Sequence, residues 1–418
     1  MINPWPFFAA ALLGSTLLVS ARDYTLHTFK KIQMTDQFYC EGASFGDFNK
    51  DGVMDVVAGP FWYEGPTFQK SHEYRPAQKY DPKSYSNDFI TYVYDFNQDG
   101  WQDIFIIGMP GEEAFWFENP QGKEGPWTRH VAFPVADNES PNFGDINGDG
   151  KPELICNSGG YWGYATPDWK NPNDVWKFHR ISPAGTWHRY THGLGVGDIN
   201  GDGRKDYVEI GGWWEQPGSL ENDPVWKLHP FNFGEGAAQM LIYDFNGDGL
   251  NDIVTCLHPH KYGMAWFEQV KKDGEITFIK HAFMGEKPED NKYGLKITQL
   301  HAFELVDMDG DGIMDFVTGK RHWAHPPNTD PEWDAASVLY WFQTVRSADG
   351  KSVDFVPHLI DDASGVGTQF AVGDFNKDGL PDVVIGNKNG NFVFLHETKK
   401  VSKEEWEKAQ PKVLFPQK

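Results

Sequence analysis

His258-Pro-His260 places two imidazoles on the same side of an extended segment, a spacing that suits chelation. The chain has 15 histidines. Six close an aromatic-x-x-His phrase, ending at His27, His130, His179, His229, His281 and His358, and a phrase that recurs points to packing. Of the rest, His188, His192, His258, His260, His301, His322 and His325 crowd into one stretch of chain. Three imidazoles with one coordination position left open make a catalytic zinc-type site. His192, His260 and His301 are the expected ligands of a zinc or other transition-metal ion, with His258 and Glu139 as substitutes. The segment Gly319 to Ala336 adds Lys320, Arg321, His322 and Trp323. A cation beside a metal stabilises an enolate or carboxylate, while a histidine or tyrosine takes a proton. Glu139, His258, Lys320 and His322 are therefore the catalytic candidates.

A second chemistry is written in acidic loops. Asp-x-Asn/Asp-x-Asp-Gly-x-x-Asp/Glu occurs seven times, 46 to 67 residues apart. Its side-chain oxygens at positions 1, 3, 5 and 9, with a carbonyl at 7, suit a calcium ion that takes six to eight oxygens. The expected ligands are Asp47, Asn49, Asp51 and Asp55; Asp95, Asn97, Asp99 and Asp103; Asp145, Asn147, Asp149 and Glu153; and Asp198, Asn200, Asp202 and Asp206. The remaining loops offer Asp244, Asn246, Asp248 and Asp252; Asp307, Asp309, Asp311 and Asp315; and Asp374, Asn376, Asp378 and Asp382. Up to seven ions are expected, bracing strand connections. They would reduce the formal charge of -23 to -9.

The elements that must position these groups follow from the spacing. Each unit has an apolar strand before its loop and a β-branched strand after it, about the size of a four-stranded propeller blade. We expect an all-β, seven-bladed β-propeller with calcium loops, its N-terminal strand completing the last blade and closing the ring. Closure removes sheet edges. The acidic loops then lie on one face and the starts of the inner strands on the other. Six residues before the loops stand Glu41, Phe89, Glu139, His192, Ala238, His301 and Thr368, flanked by Asp88, Gln239 and Gln369. A second ring, after the second strands, includes Trp62, Trp213, Trp214, His258, His260, Arg321 and His325. From these, Glu41, Asp88, Gln239, Gln369, Trp213, Arg321 and Trp323 are the expected substrate contacts, the tryptophans offering flat faces to sugar rings.

The phrases Gly-Asp-Phe-Asn-Lys-Asp-Gly and Gly-Asp-Ile-Asn-Gly-Asp-Gly resemble FG-GAP/VCBS repeats, the family of integrin-α-type propellers. The resemblance covers nearly all of the chain beyond its first residues and implies both fold and calcium sites. The channel arrangement also resembles the propeller domain of aldos-2-ulose (1,5-anhydrofructose) dehydratase, which implies a zinc ion in the propeller cleft. Two functions are carried forward. One is a carbohydrate-active lyase or dehydratase performing metal-assisted β-elimination on a keto-sugar or uronic-acid glycan. The other is a non-catalytic lectin or adhesion propeller binding glycan or protein, and a fold of this kind hosts both.

Composition bounds the setting. A net charge of -23 without a basic stripe excludes nucleic acid as a partner. Residues 1–21 read as a signal peptide, with an apolar run from Phe7 to Ser20 and small residues at Val19-Ser20-Ala21. A secreted or periplasmic protein without a membrane span is expected, as a monomer or small homo-oligomer. Residues 22–400 form the propeller and 401–418 a helical tail. Cys40, Cys156 and Cys256 are too few for a disulfide framework, so buried thiols are expected.

Overall fold

The β-branched runs that follow the acidic loops become strands buried on both faces. Every residue of β3 (Asp55–Ala58), β7 (Asp103–Ile107), β18 (Asp252–Cys256) and β26 (Asp382–Asn387) is buried. Such strands must lie inside stacked layers, and the computed structural model, which describes residues 24–416, builds them that way. The apolar run read as a signal lies outside the described residues.

The fold is all-β and antiparallel, with six sheets. Five have four strands and one has seven, the last being two four-stranded meanders that share the long strand β9 (Thr128–Gly144). Each four-stranded sheet is a simple meander, as in β2 (Ala43–Gly46), β3, β4 (Phe61–Tyr63) and β5 (Ser71–Glu73). One sheet departs from chain order: β1 (Tyr24–Thr35) pairs antiparallel with β27 (Gly390–Val401), beyond β25 (Phe370–Gly373) and β26. The first strands of successive sheets lie side by side. β2 touches β6 (Ile90–Tyr94) and β25, β13 (Gly195–Gly197) touches β17 (Leu241–Tyr243), and β21 (Leu300–Val306) touches both β17 and β25. A short helix, α1 (Lys403–Ala409), packs on β1.

The acidic loops join first to second strands in every sheet. Position 6 is glycine with positive φ, such as Gly52 at +86°, where an added Cβ meets no atom but the backbone would be strained. Asp47 accepts the N–H groups of Asp51 and Gly52 at 3.1 and 3.0 Å. The acid at position 9 is buried and acts as a staple. Asp55 accepts Phe48 N–H at 3.0 Å and Gly65 N–H at 3.0 Å, tying the loop to the end of the third strand.

Third and fourth strands of each sheet are joined by a cross-strand ring pair. Trp62 stacks on His72, Trp116 on His130, Tyr164 on His179, Trp213 on His229, Trp266 on His281 and Trp341 on His358, with centroids 4.0–4.8 Å apart. In the closing sheet the pair is inverted: His396 is on β27 and Phe29 on β1, 4.7 Å apart. His27 packs instead edge-on against Trp341, with centroids 5.8 Å apart, and contacts His396 through Nδ1 at 2.9 Å.

Candidate functional site

His192 precedes β13, His260 lies between β18 and β19 (Met264–Lys272), and His301 is the second residue of β21. The fold brings one nitrogen from each ring within 4.8 Å of the others. Their ring centroids stand 4.9, 4.9 and 5.7 Å apart. Nδ1 of His192 lies 3.0 Å from the Tyr190 carbonyl oxygen and Nδ1 of His301 lies 3.2 Å from that of Gln299. A nitrogen facing a carbonyl carries a proton, so in the neutral form of either ring Nε2 is the lone-pair side. Those two Nε2 atoms and Nδ1 of His260 are buried without a hydrogen-bond partner.

Electrostatics keep two of the imidazoles, His260 and His301, neutral. Burial, then His192 and His325, lowers His260 to about 3. Burial and the nearby Arg321 hold His301 well below the ordinary histidine value. Burial acts to raise Glu139, but His192 and Arg321 outweigh it and keep the carboxyl below its usual range. Imidazole nitrogens are donors suited to a divalent transition-metal ion.

His192 and His260 line a cavity of about 470 Å³, with His301 beside them. Glu139, Tyr190, His192, His260 and His325 supply its polar groups, and Phe89, Met109 and Pro110 its apolar ones. The long segment after β22 (Asp315–Lys320) covers it: Ala324 and His325 line the cavity, and the Ala324 carbonyl accepts the Tyr85 hydroxyl at 3.0 Å. His325 stacks on His260 at 4.2 Å, and its Nδ1 lies 2.9 Å from Asp330 Oδ1. A histidine oriented by a carboxylate in this way has one nitrogen left for proton transfer.

Several expected contacts lie elsewhere. Trp213 is 2% exposed in a third strand and packed on His229, so it offers no face to a sugar; Trp62 and Trp214 likewise belong to third strands rather than to the channel ring. Gln239 and Gln369 bridge strands instead of facing a ligand. Gln369 Oε1 accepts Ala43 and Thr91 N–H at 3.1 and 3.2 Å, and Gln239 Oε1 accepts Phe303 N–H at 3.1 Å. Asp88 is buried in an ion pair with Arg75, and Glu41 in one with Arg321 at 2.5 Å. Lys320 Nζ donates to the Trp333 carbonyl at 3.3 Å, and burial lowers it to about 8. His322 pairs with the Ser337 hydroxyl at 2.9 Å and stacks on Trp323, whose carbonyl accepts Lys388 Nζ. His258 is half-buried beside His260, its Nδ1 accepting the His260 N–H at 3.3 Å. Asp330, five residues beyond His325, was missed because nothing in its local sequence marks it. A larger cavity of about 980 Å³, between β1, β24 (Val353–Asp361) and α1, is remote from this cluster.

The acidic loops sit at the other ends of the same strands. His301 opens β21 and Asp307 follows its last residue, about 20 Å away at ~3.3 Å per residue. In that loop Asp307, Asp309 and Asp311 bring carboxylate oxygens within 4.8 Å of one another.

An FG-GAP-like repeat profile matches residues 95–156 and an FG-GAP repeat profile matches residues 366–399. Integrin alpha pat-2 of Caenorhabditis briggsae is 25% identical over 271 residues, a match taking in 51% of this chain and 22% of that protein. Among solved structures, the V. cholerae biofilm matrix protein Bap1 superposes with a TM-score of 0.41 at 11% identity, covering 89% of each chain. BBS1N in complex with ARL6DN gives 0.47 at 10% identity, covering 92% of this chain and 99% of that one. No helix among the described residues is long and apolar enough to cross a membrane. The chain carries FG-GAP repeats in an all-β antiparallel fold, consistent with a propeller of the FG-GAP type.

Proposed function

We propose that this is a secreted or periplasmic seven-bladed propeller whose channel face holds one transition-metal ion and eliminates water or an alcohol from a carbohydrate. The blade reading is supported by the side-by-side first strands and by β1 completing the sheet of β27. Calcium in the acidic loops would brace the connections on the opposite face. The single observation that carries the enzymatic reading is the convergence of three imidazoles, each with a buried nitrogen lacking a hydrogen-bond partner, two of which line a cavity.

His192, His260 and His301 would hold the ion. Its contribution when bound is Lewis acidity toward a substrate carbonyl or carboxylate oxygen. The protein's residues do the rest. His325, oriented by Asp330, takes the proton from the carbon next to the carbonyl. That C–H electron pair becomes the new C=C bond, the β C–O bond breaks, and the leaving oxygen departs as water or alcohol once protonated. Tyr190 and the apolar side of the cavity orient the sugar and limit water.

Metal analysis after mild calcium exchange tests this reading. About one transition-metal ion per chain, lost in a His192→Ala/His301→Ala variant, is expected, with ultraviolet-absorbing unsaturated product formed from keto-sugars or uronic glycans. Calcium alone and no such product would leave the second reading, a glycan- or protein-binding propeller. The FG-GAP repeats and the likeness to an integrin α chain favour that alternative.

A further inference from the structure

We infer that the larger cavity, between β1, β24 and α1, is a second binding site, and that its ligand is an oligosaccharide without acid groups. The site stands apart from the histidine cluster and does not rest on the metal reading.

Its walls come from two neighbouring sheets and the C-terminal segment. β1 brings Tyr24 and Thr28, β23 (Leu339–Arg346) brings Tyr340 and Gln343, and the tail brings Trp406 and Gln410. Its volume of about 980 Å³ is at the upper end of the range for small-molecule sites.

The helix supplies a wall rather than a piece of core. α1 is held by a capping box: Ser402 Oγ accepts Glu405 N–H and Glu405 Oε2 accepts Ser402 N–H, each at 3.2 Å. Yet it buries no residue. Its one aromatic, Trp406, stands against Tyr24 with centroids 5.6 Å apart and planes tilted by 51°, and both half-buried rings line the cavity. Among the described residues nothing pairs with the Trp406 indole N–H or with the hydroxyls of Tyr24 and Tyr340. A sugar ring has one face of polarised C–H groups and a rim of hydroxyls. The face packs on electron-rich aromatic rings, and the rim takes the donors and acceptors at their edges.

Charge decides which sugar fits. Asp309 and Asp311 close one end of the cavity, and Lys412 is the one ammonium on the lining. Burial holds His27 and His358 below the ordinary histidine value, which favours their neutral forms. Two carboxylates against one ammonium repel an anionic sugar and accept hydrogen bonds from a neutral one. The loop of Asp309 is also the one acidic loop with Asp at position 3, so it holds four acids, and a calcium ion there would not reverse the sign. A peptide would be read through a strand edge or apolar side-chain pockets. Here the groups around the rings are carboxylates, amides and hydroxyls, the partners of sugar hydroxyls.

Titration calorimetry of the full-length protein tests this with neutral trisaccharides of glucose, galactose, mannose and N-acetylglucosamine, and with matched triuronates. At least one neutral trisaccharide should bind, and the triuronates more weakly. Trp406→Ala should lower that affinity about tenfold or more with the cooperative melt retained, while Trp406→Phe, which keeps a flat face, should lose less. If no neutral trisaccharide binds, or if Trp406→Ala binds as the wild type does, the assignment falls. Binding lost in Tyr190→Ala but kept in Trp406→Ala would place the sugar in the histidine-lined cavity, which overturns this inference and leaves the proposed function standing. Binding of a lysine-containing tripeptide that is lost in Trp406→Ala, with no sugar bound, would make the cavity a peptide site instead.

Discussion

Trp213 and His229 lie face to face with an interplanar angle of 4°, and Trp213 is almost fully buried. Removing so large a side chain from a packed interface costs about 3–5 kcal/mol. Trp213→Ala should therefore lower the unfolding free energy by that amount, read from the fall in denaturant midpoint, while leaving the proposed pocket metal unchanged. Unaltered stability with lost glycan affinity would restore the sugar-platform reading. The ring pairs also show what a local phrase conveys. Aromatic-x-x-His marked His130, His179, His229, His281 and His358 correctly as packing residues, because the repeat sets a fixed place on the fourth strand. It missed His72 and His396, and it set His27 against Trp341 rather than in the stacked pair, because the pair is made across strands, where register and not sequence distance decides who meets whom.

The acidic loop is the element on which the fold turns, and its closing acid has an unusual titration. Burial raises Asp55 to about 7 although Gly65 and Phe48 donate to it, and Asp103 and Asp315 reach about 8 for the same reason. Glu153, Asp206 and Asp252 reach about 7 and Asp382 about 6. An acid whose folded pKa is raised holds its proton more tightly in the native state than in the unfolded one. Its contribution to stability is greatest below the unfolded value of about 4 and falls as pH rises through about 6–8. Without metal, then, the melting temperature should drop between pH 5 and pH 8. Calcium binding would favour the ionised loops and restore the loss. Melting curves in chelator and in excess calcium across that range check this, and identical curves would argue against calcium in the loops. The loop motif was readable because all of its donors lie within nine consecutive residues. That the ninth also staples the third strand was not, since its partners lie ten to seventeen residues further on in loops such as those of Asp55, Asp103 and Asp252.

At the scale of the whole molecule, β1 ties the start of the described chain to its last sheet. Its ladder with β27 runs from Tyr24 against Val401 to Thr35 against Asn391. Deleting residues through Thr35 would bare the β27 edge and the face of His396, leaving an unpaired strand ready to pair with another chain. We expect the truncated protein to aggregate on size-exclusion chromatography and to lose its cooperative melt; a monomer melting like the full chain would mean that the closing strand is dispensable.

Repetition along the chain was enough to determine the all-β class, the acidic loops and the pairing of the N-terminal strand with the last sheet, because each depends on a short segment of fixed spacing. The three histidines were also legible as a group, two by their distance from a loop that recurs and His260 by its Pro-spaced partner. Only the tertiary structure decided the rest. It turned Gln239, Gln369 and Trp213 inward, spent Arg321 on Glu41, and set Asp330 behind His325. Residues from sheets far apart in sequence meet where first strands converge, and which of them face a cavity is settled by side-chain packing and charge pairing that no single segment contains.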